Sequence, residues 1–255
     1  MAVEYQQMTT HLNYGHEVRR AMIKILRTAT FLLCTAVAAP VMAQDFEKGW
    51  AAYNAGDYET ALQEWRPLAE QGDANAQYNL GVMYANGRGV PQDDAAAANW
   101  YRLAAEQGYA AAQYNLGVMY KNGRGVIEDY AEAAGWFRLV AEQGVALAQY
   151  NLGFMYANGS GVLQDYAEAV DWYRKAADQG RADAQTNLGN MYDTGRGVSQ
   201  DAVLAHMWYN IGGANGNELG SDNRGIIEAR MTREQIAEAQ MRARRCMASD
   251  YQDCG

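Results

Sequence analysis

The stretch that decides the fold is Ala76-Gln-Tyr-Asn-Leu-Gly-Val-Met-Tyr-Ala-Asn-Gly-Arg-Gly-Val90, because it recurs along the chain. Substituted copies begin at Ala112, Ala148 and Ala184, so that successive copies start 36 residues apart. Four tryptophans follow at the same spacing, namely Trp100, Trp136, Trp172 and Trp208. Self-similarity at a period of this size is typical of solenoids, in which supersecondary units stack on one another.

Two helices are predicted in each 36-residue unit. In the first unit, the apolar residues of 74–86 fall on one face of a helix, here called helix A: Ala76, Leu80, Met83 and Tyr84. Asn86-Gly-Arg-Gly89 should end helix A, since glycine readily adopts left-handed backbone angles. Residues 94–106 place a second apolar row, Ala97, Trp100, Tyr101 and Ala104, on one side of a helix B that ends at Gly108.

These residues resemble the Sel-one-like repeat, a member of the tetratricopeptide superfamily. The shared signature is Ala-x-Tyr-x-Leu-Gly-x-Met-Tyr-x-x-Gly-x-Gly-Val followed by a helix with Trp-Tyr, and it covers residues 73–216. The resemblance implies an all-α fold, a right-handed α-solenoid of helix-turn-helix units. The fourth copy departs from the signature, with Thr186 in place of tyrosine and Asn190 in place of valine. Terminal repeats are often atypical because one side lacks a neighbour.

The repeats predict an organisation into seven segments. These are an N-terminal extension and signal (1–43), a tetratricopeptide-like hairpin cap (44–72), four repeats (73–108, 109–144, 145–180 and 181–216), and a C-terminal capping helix with its tail (217–255). The hairpin is assigned because 45–65 lacks the Gly-x-Gly-Val insertion. The capping helix is assigned because Thr232 and Gln235 have the spacing of a capping box.

The first 43 residues resemble a cleavable secretory signal. A basic start at Met22-Ile-Lys-Ile-Leu-Arg27 precedes the apolar run 31–41, and Val41-Met-Ala43 provides small residues for cleavage after Ala43. We therefore expect export, to the periplasm or beyond it, with no membrane insertion after cleavage and with Met22 as the better start. The alternatives are a retained anchor, a twin-arginine signal at Arg19-Arg20, and a lipoprotein signal at Cys34.

Charge argues against nucleic acid as a partner. The net charge is −9, and without residues 1–43 it becomes −11, with 17 basic and 28 acidic residues. Phosphate binding needs clustered lysine and arginine, and a surface of this charge would repel a polyanion.

The two cysteines beyond residue 43, Cys246 and Cys254, predict a disulfide that ties the tail to the capping helix. An oxidising compartment favours the disulfide over the alternative of two free thiols. His206 is the only histidine in this part of the chain, so too few ligands exist for a zinc site. We expect neither a metal nor a cofactor.

Enzymatic activity is the alternative to a binding role, and the sequence favours binding. His206 occupies a position that holds Ala98, Ala134 and Val170 in the other units, which indicates a partly buried structural residue. Some cysteine-rich relatives of the repeat family have been linked to penicillin binding or β-lactamase activity. Their cysteine pair in each unit is missing here, and no Ser-x-x-Lys follows Ala43. A cell-wall ligand binder or hydrolase remains the second hypothesis.

The predicted binding surface is the side of helix A opposite its core residues, which lines the concave groove in tetratricopeptide-type stacks. It carries a stripe in each unit: Tyr78, Val82 and Ala85; Tyr114, Val118 and Lys121; Tyr150, Phe154 and Ala157; Thr186, Asn190 and Asp193. Asn79, Asn115, Asn151 and Asn187 align with the asparagine of carboxylate-clamp relatives. We expect a monomer that binds a protein or peptide partner here. Alternatively, these tyrosines and asparagines serve only to stack the units.

Overall fold

The computed structural model describes residues 45–254, which form twelve helices. They are α1 (Phe46–Asn54), α2 (Tyr58–Glu70), α3 (Ala74–Asn86), α4 (Asp94–Glu106), α5 (Ala110–Asn122), α6 (Tyr130–Glu142), α7 (Ala146–Asn158), α8 (Tyr166–Ala177), α9 (Ala182–Thr194), α10 (Ala202–Ala214), α11 (Glu218–Glu228) and α12 (Arg233–Ala248). The predicted signal and its cleavage after Ala43 lie outside the described residues.

Each 36-residue unit is a pair of antiparallel helices that packs on the next pair, so the all-α solenoid prediction is confirmed. Helices A of the four units are α3, α5, α7 and α9, and helices B are α4, α6, α8 and α10. The predicted bounds of the first pair, 74–86 and 94–106, are those observed. The hairpin of α1 and α2 packs on α3. Within 45–254, no helix is both long and apolar enough to cross a membrane.

The segment after the repeats differs from the prediction, because it contains two helices where we expected one. The predicted capping box is present on α12, where Thr232 Oγ1 accepts from Gln235 N and Gln235 Oε1 accepts from Thr232 N. The additional helix, α11, precedes it and packs on α10, as α12 also does. Both helices therefore cover the last repeat.

Aspartates begin the B helices and glycines end the A helices. The side chains of Asp93, Asp129, Asp165 and Asp201 accept hydrogen bonds from backbone N–H groups in the first turn. The N-cap residues of the A helices in the last three units are instead Tyr109, Val145 and Arg181, whose side chains make no cap hydrogen bond.

The Leu-Gly pair of the signature forms a notch that receives an aromatic ring. A Cβ atom added to Gly81 would lie 2.6 Å from the Tyr101 ring, and one added to Gly117 would lie 2.9 Å from the Phe137 ring. Tyr173 and Tyr209 lie against Gly153 and Gly189 in the same way. The deeply buried aromatic position is therefore the one after the repeating tryptophan. Trp100, Trp136 and Trp172 are half-buried, whereas Trp208 is buried.

Buried glutamines connect each unit to its neighbours, which the sequence analysis missed. In the third unit, Gln149 Nε2 donates to the Ala141 carbonyl at 3.1 Å, and Gln149 Oε1 accepts from Gln179 Nε2 at 2.8 Å. The same pairing recurs for Gln77 with Gln107, Gln113 with Gln143 and Gln185 with Asn215. The sequence signal that could have predicted this contact is the glutamine that recurs between core positions of helix A. We call this row of four pairs the glutamine ladder.

Candidate functional site

The tyrosines of the predicted stripe are half-buried between two repeating contacts. The rings of Tyr78, Tyr114 and Tyr150 lie 5.8, 5.5 and 6.0 Å from the buried ring of helix B in their own unit. On the other side stands the residue that precedes the next helix A. Tyr109 lies 5.0 Å from Tyr78, and the Arg181 guanidinium carbon lies 5.3 Å from the Tyr150 ring centroid. Each tyrosine thus contributes to stacking and exposes only part of its ring.

One of the predicted clamp asparagines is engaged with the tyrosine hydroxyl of the preceding unit. Asn151 Nδ2 donates to the Tyr114 hydroxyl at 3.1 Å. Burial raises the pKa of Tyr78 and of Tyr150 above the ordinary value for tyrosine. The Asn151 amide thus connects two adjacent A helices, α5 and α7, as the stacking alternative expects of these asparagines.

Two hollows open along this face, one unit apart. The first, of about 290 Å³, is lined by Phe46, Trp50, Asn75, Tyr78, Asn79 and Tyr109, together with Glu47. The second, of about 350 Å³, is lined by Ala110, Ala111, Tyr114, Asn115, Val145 and Leu147, together with Val140. Tyr78 and Tyr109 in the first hollow correspond to Tyr114 and Val145 in the second. We call these neighbouring hollows the paired hollows; both are largely apolar or aromatic.

The outer part of the stripe lies nearer the C-terminal ends of the A helices. Val82 and Val118 are half-buried, and Phe154 is 42% exposed, with Lys121 Nζ 6.0 Å from its ring centroid. A third hollow, of about 170 Å³, joins Phe154 to Asn190 and Arg196. The stripe of the third unit therefore presents an exposed aromatic ring beside a hollow with a mixed polar and apolar lining.

The fourth unit does not continue the stripe. Thr186 is buried, and its Oγ1 lies 2.8 Å from where a Cβ on Gly220 of α11 would stand. Asn190 is exposed, while Asp193 forms an ion pair with Arg230. Because α11 covers this position, the tyrosine-lined surface ends after the third unit.

His206 is a structural residue and is buried more deeply than predicted. Its side chain is fully buried, and Nε2 lies 2.8 Å from Glu228 Oε1 on α11, joining that helix to α10. Among residues 45–254, no group of three or more histidine, cysteine, aspartate or glutamate side chains is arranged to hold a metal ion.

The tail returns to the solenoid through Cys254. The sulfur atoms of Cys246 and Cys254 lie within bonding distance, and their Cα atoms are 4.5 Å apart. Tyr251, between the two cysteines, accepts a hydrogen bond from Asn215 Nδ2 at 2.8 Å, and Asn215 also donates to Gln185. The tail thus extends the glutamine ladder by one residue.

Replacing Cys254 by serine should lower the free energy of unfolding by about 2 kcal/mol, because a short closed loop no longer restrains the unfolded chain. Urea unfolding followed by circular dichroism measures the change, with the wild-type protein in reducing buffer as the matched comparison. Equal stabilities of oxidised wild-type protein and the Cys254→Ser variant would show that no disulfide forms.

Segments 74–109, 110–145, 146–180 and 182–217 match the model described as Sel1 repeat. A protective antigen present in uropathogenic Escherichia coli strains, with an SLR fold, is 38% identical with a TM-score of 0.69, over 80% of this chain and 48% of that one. A Sel1 repeat protein from Oxalobacter formigenes is 33% identical with a TM-score of 0.64, over 81% and 78%.

A curated sequence also matches over a short region. It is an exopolysaccharide production negative regulator from Rhizobium leguminosarum bv. viciae, 41% identical over 56 residues, which are 22% of this chain and 21% of the regulator. The present chain thus matches about half of the E. coli antigen and about a fifth of the regulator.

Proposed function

The chain belongs to the Sel1 repeat family, and we propose that it is an exported scaffold that binds a partner protein through the A-helix stripe and the paired hollows. Sel1 repeats are protein-interaction modules, and proteins built from them are generally scaffolds rather than enzymes. The bound element would be an extended peptide or a helix. The protein itself would act as a monomer, without nucleic acid, cofactor or metal.

The paired hollows are the observation that carries this proposal. They repeat in register one unit apart, which suits a linear segment that presents apolar side chains at regular intervals. Tyrosine rings held between neighbouring helices are already ordered, so that binding costs little additional side-chain entropy. Phe154 adds an exposed aromatic side chain to the stripe in the third unit.

Export is supported by the signal-like sequence before Ala43 and by the cysteine pair. Disulfides persist in oxidising compartments, and Cys246 and Cys254 are positioned to form one. We propose the periplasm as the destination, with the extracellular space as the alternative.

The second hypothesis is a cell-wall ligand binder or hydrolase, and its hydrolase form receives less support from the site. His206 has its Nε2 engaged with Glu228 and no exposed ring surface, so it is poorly placed to serve as a base for a bound substrate. The scaffold explains the exposed apolar face, whereas hydrolysis leaves it without a role.

Replacing Val145 by aspartate separates binding from folding. Val145 has the backbone angles of an N-cap but no side-chain cap, whereas Asp73 at the equivalent point accepts from Ala76 N at 2.8 Å. The variant should be about 1 kcal/mol more stable than wild type. It should bind its partner at least roughly tenfold more weakly, because a carboxylate enters an apolar hollow. Thermal unfolding measures stability, and titration with a partner identified by crosslinking measures affinity.

The control variant places the same negative charge outside the A-helix stripe and the paired hollows. Ile226→Asp changes an exposed residue of α11 and should leave the affinity within about twofold of wild type. If the Val145→Asp protein is stabilised but binds its partner with unchanged affinity, the paired hollows are not the binding surface.

A further inference from the structure

The loops between helices A and B present two exposed aliphatic side chains in the middle of the solenoid. Ile127 and Leu163 are each 89% exposed and occupy the same position in the second and third units. Val126 and Val162, the preceding residues, turn inward and pack on the core. The first and fourth units have Pro91 and Ser199 at this position, so the fold itself does not require an aliphatic residue here.

The backbone of these loops is held firmly. In the second unit, Arg124 N donates to the Met119 carbonyl and Asp129 N donates to the Tyr120 carbonyl, each at 3.0 Å. In the third, Gln164 Nε2 donates to the Ala157 carbonyl at 2.9 Å, so the residue after Leu163 folds back on helix A. Ile127 and Leu163 are therefore held outward by fixed loops.

Tyr130 connects the loops of the second and third units through its backbone. It is 39% exposed and lies three residues after Ile127. Its carbonyl is so close to Gly161, two residues before Leu163, that a Cβ there would be 2.1 Å from the Tyr130 oxygen. Ile127, Tyr130 and Leu163 form what we call the loop-edge patch.

An arginine that covers the equivalent tyrosine in other units is missing at this patch. The Arg88 guanidinium carbon lies 5.9 Å from the Tyr58 ring centroid, and that of Arg196 lies 5.4 Å from Tyr166. Ser160 occupies the arginine's position in the third unit, and within residues 45–254 no lysine or arginine stacks on the Tyr130 ring.

The surroundings of the loop-edge patch are acidic. The exposed carboxylates nearby in sequence are Glu128, Asp129, Glu132, Asp165 and Glu168. Arg124 is already paired with Asp94 at 2.7 Å. A cation approaching Tyr130 would meet a partly exposed aromatic ring surrounded by negative charge, the environment in which cation–π contacts are favourable.

We propose that the loop-edge patch is a second docking surface, which takes a partner-protein segment carrying an arginine or lysine between aliphatic residues. The partner's cation stacks on Tyr130 in the way that Arg88 stacks on Tyr58 and Arg196 stacks on Tyr166. Its aliphatic residues cover Ile127 and Leu163. This surface lies on the loops and does not depend on the A-helix stripe.

The test selects dodecapeptides from a random phage-displayed library on the wild-type protein and counter-selects on the Ser160→Arg variant. That variant places an arginine over Tyr130 from within the chain. Its loop accepts the residue, since Ser160 N bonds the Met155 carbonyl at 3.0 Å as Arg196 N bonds that of Met191 at 3.1 Å. Selected peptides should contain arginine or lysine beside aliphatic residues. They should bind Ser160→Arg and the Ile127→Ser/Leu163→Ser double variant at least roughly tenfold more weakly.

A Phe154→Ser variant, altered on the A-helix stripe, should bind the same peptides within twofold of wild type. This result keeps the second surface separate from the proposed function. Peptides that lack basic residues, that bind Ser160→Arg equally, or that depend on Phe154 would overturn the proposal. So would the absence of any wild-type-selective peptide. Self-association of wild type that the double variant abolishes would assign the patch to a second copy and also overturn it.

Discussion

Replacing Gly125 by alanine should lower the free energy of unfolding by more than about 3 kcal/mol, the largest effect we expect from a single methyl group. Gly125 has a φ of +67°, which L-residues adopt at a cost of roughly 1–2 kcal/mol. The added Cβ would also stand 2.1 Å from the Asp94 carbonyl oxygen at the start of the preceding helix B. The Asp94 backbone cannot move away by a change of rotamer as a side chain can. The added methyl group would therefore push the two units apart. Urea unfolding measures the loss.

Substitutions at two further glycines separate the cost of the positive φ from the cost of the close approach between units. Gly108 has a φ of +88° with nothing within 4 Å of an added Cβ, so Gly108→Ala should cost only about 1–2 kcal/mol. Gly135 lies within α6, also in open space, and Gly135→Ala should stabilise the protein by about 0.5–1 kcal/mol. A loss at Gly125 no greater than that at Gly108 would mean that the close approach between units is unimportant.

The repeat could be predicted because its determinants are local. Glycines that end helix A and the apolar rows of both helices lie within one 36-residue copy, and four copies confirm one another. Helix α11 was missed because Gly220 and Gly225 within eleven residues disfavour a helix in isolation. Gly220 instead lies where it packs closely on Gly213 and Thr186, a tertiary contact that local propensity does not report.

The candidate site was predictable as a face but not as a set of contacts. Helical periodicity placed Tyr78, Tyr114 and Tyr150 together. It did not show that Asn151 bonds the Tyr114 hydroxyl, because that contact depends on the rotation between successive units. The stripe's end at Thr186 likewise follows from α11, which the sequence analysis had not found. Repetition shows that a residue matters in each unit without telling which neighbour it meets.

Replacing Gln149 by alanine should cost about 2–3 kcal/mol, although the residue is polar and contributes no apolar packing. Gln149 is 5% exposed, and its amide is the side-chain donor to the buried Ala141 carbonyl. Removing one partner of a buried hydrogen bond leaves the other desolvated and unpaired, which costs more than an ordinary hydrogen bond contributes. Urea unfolding of Gln149→Ala measures the change.

Gln179→Ala is the matched control, since it removes the other half of the same ladder pair. Gln179 is exposed, so water can replace its bond to Gln149 Oε1, and the loss should stay near or below about 1 kcal/mol. The double variant should lose less stability than the sum of the two single losses, because the Gln149–Gln179 bond is removed only once. Equal costs for the two single variants would contradict a ladder anchored on the buried carbonyl. The stability of the interface would then rest on the apolar and aromatic contacts alone.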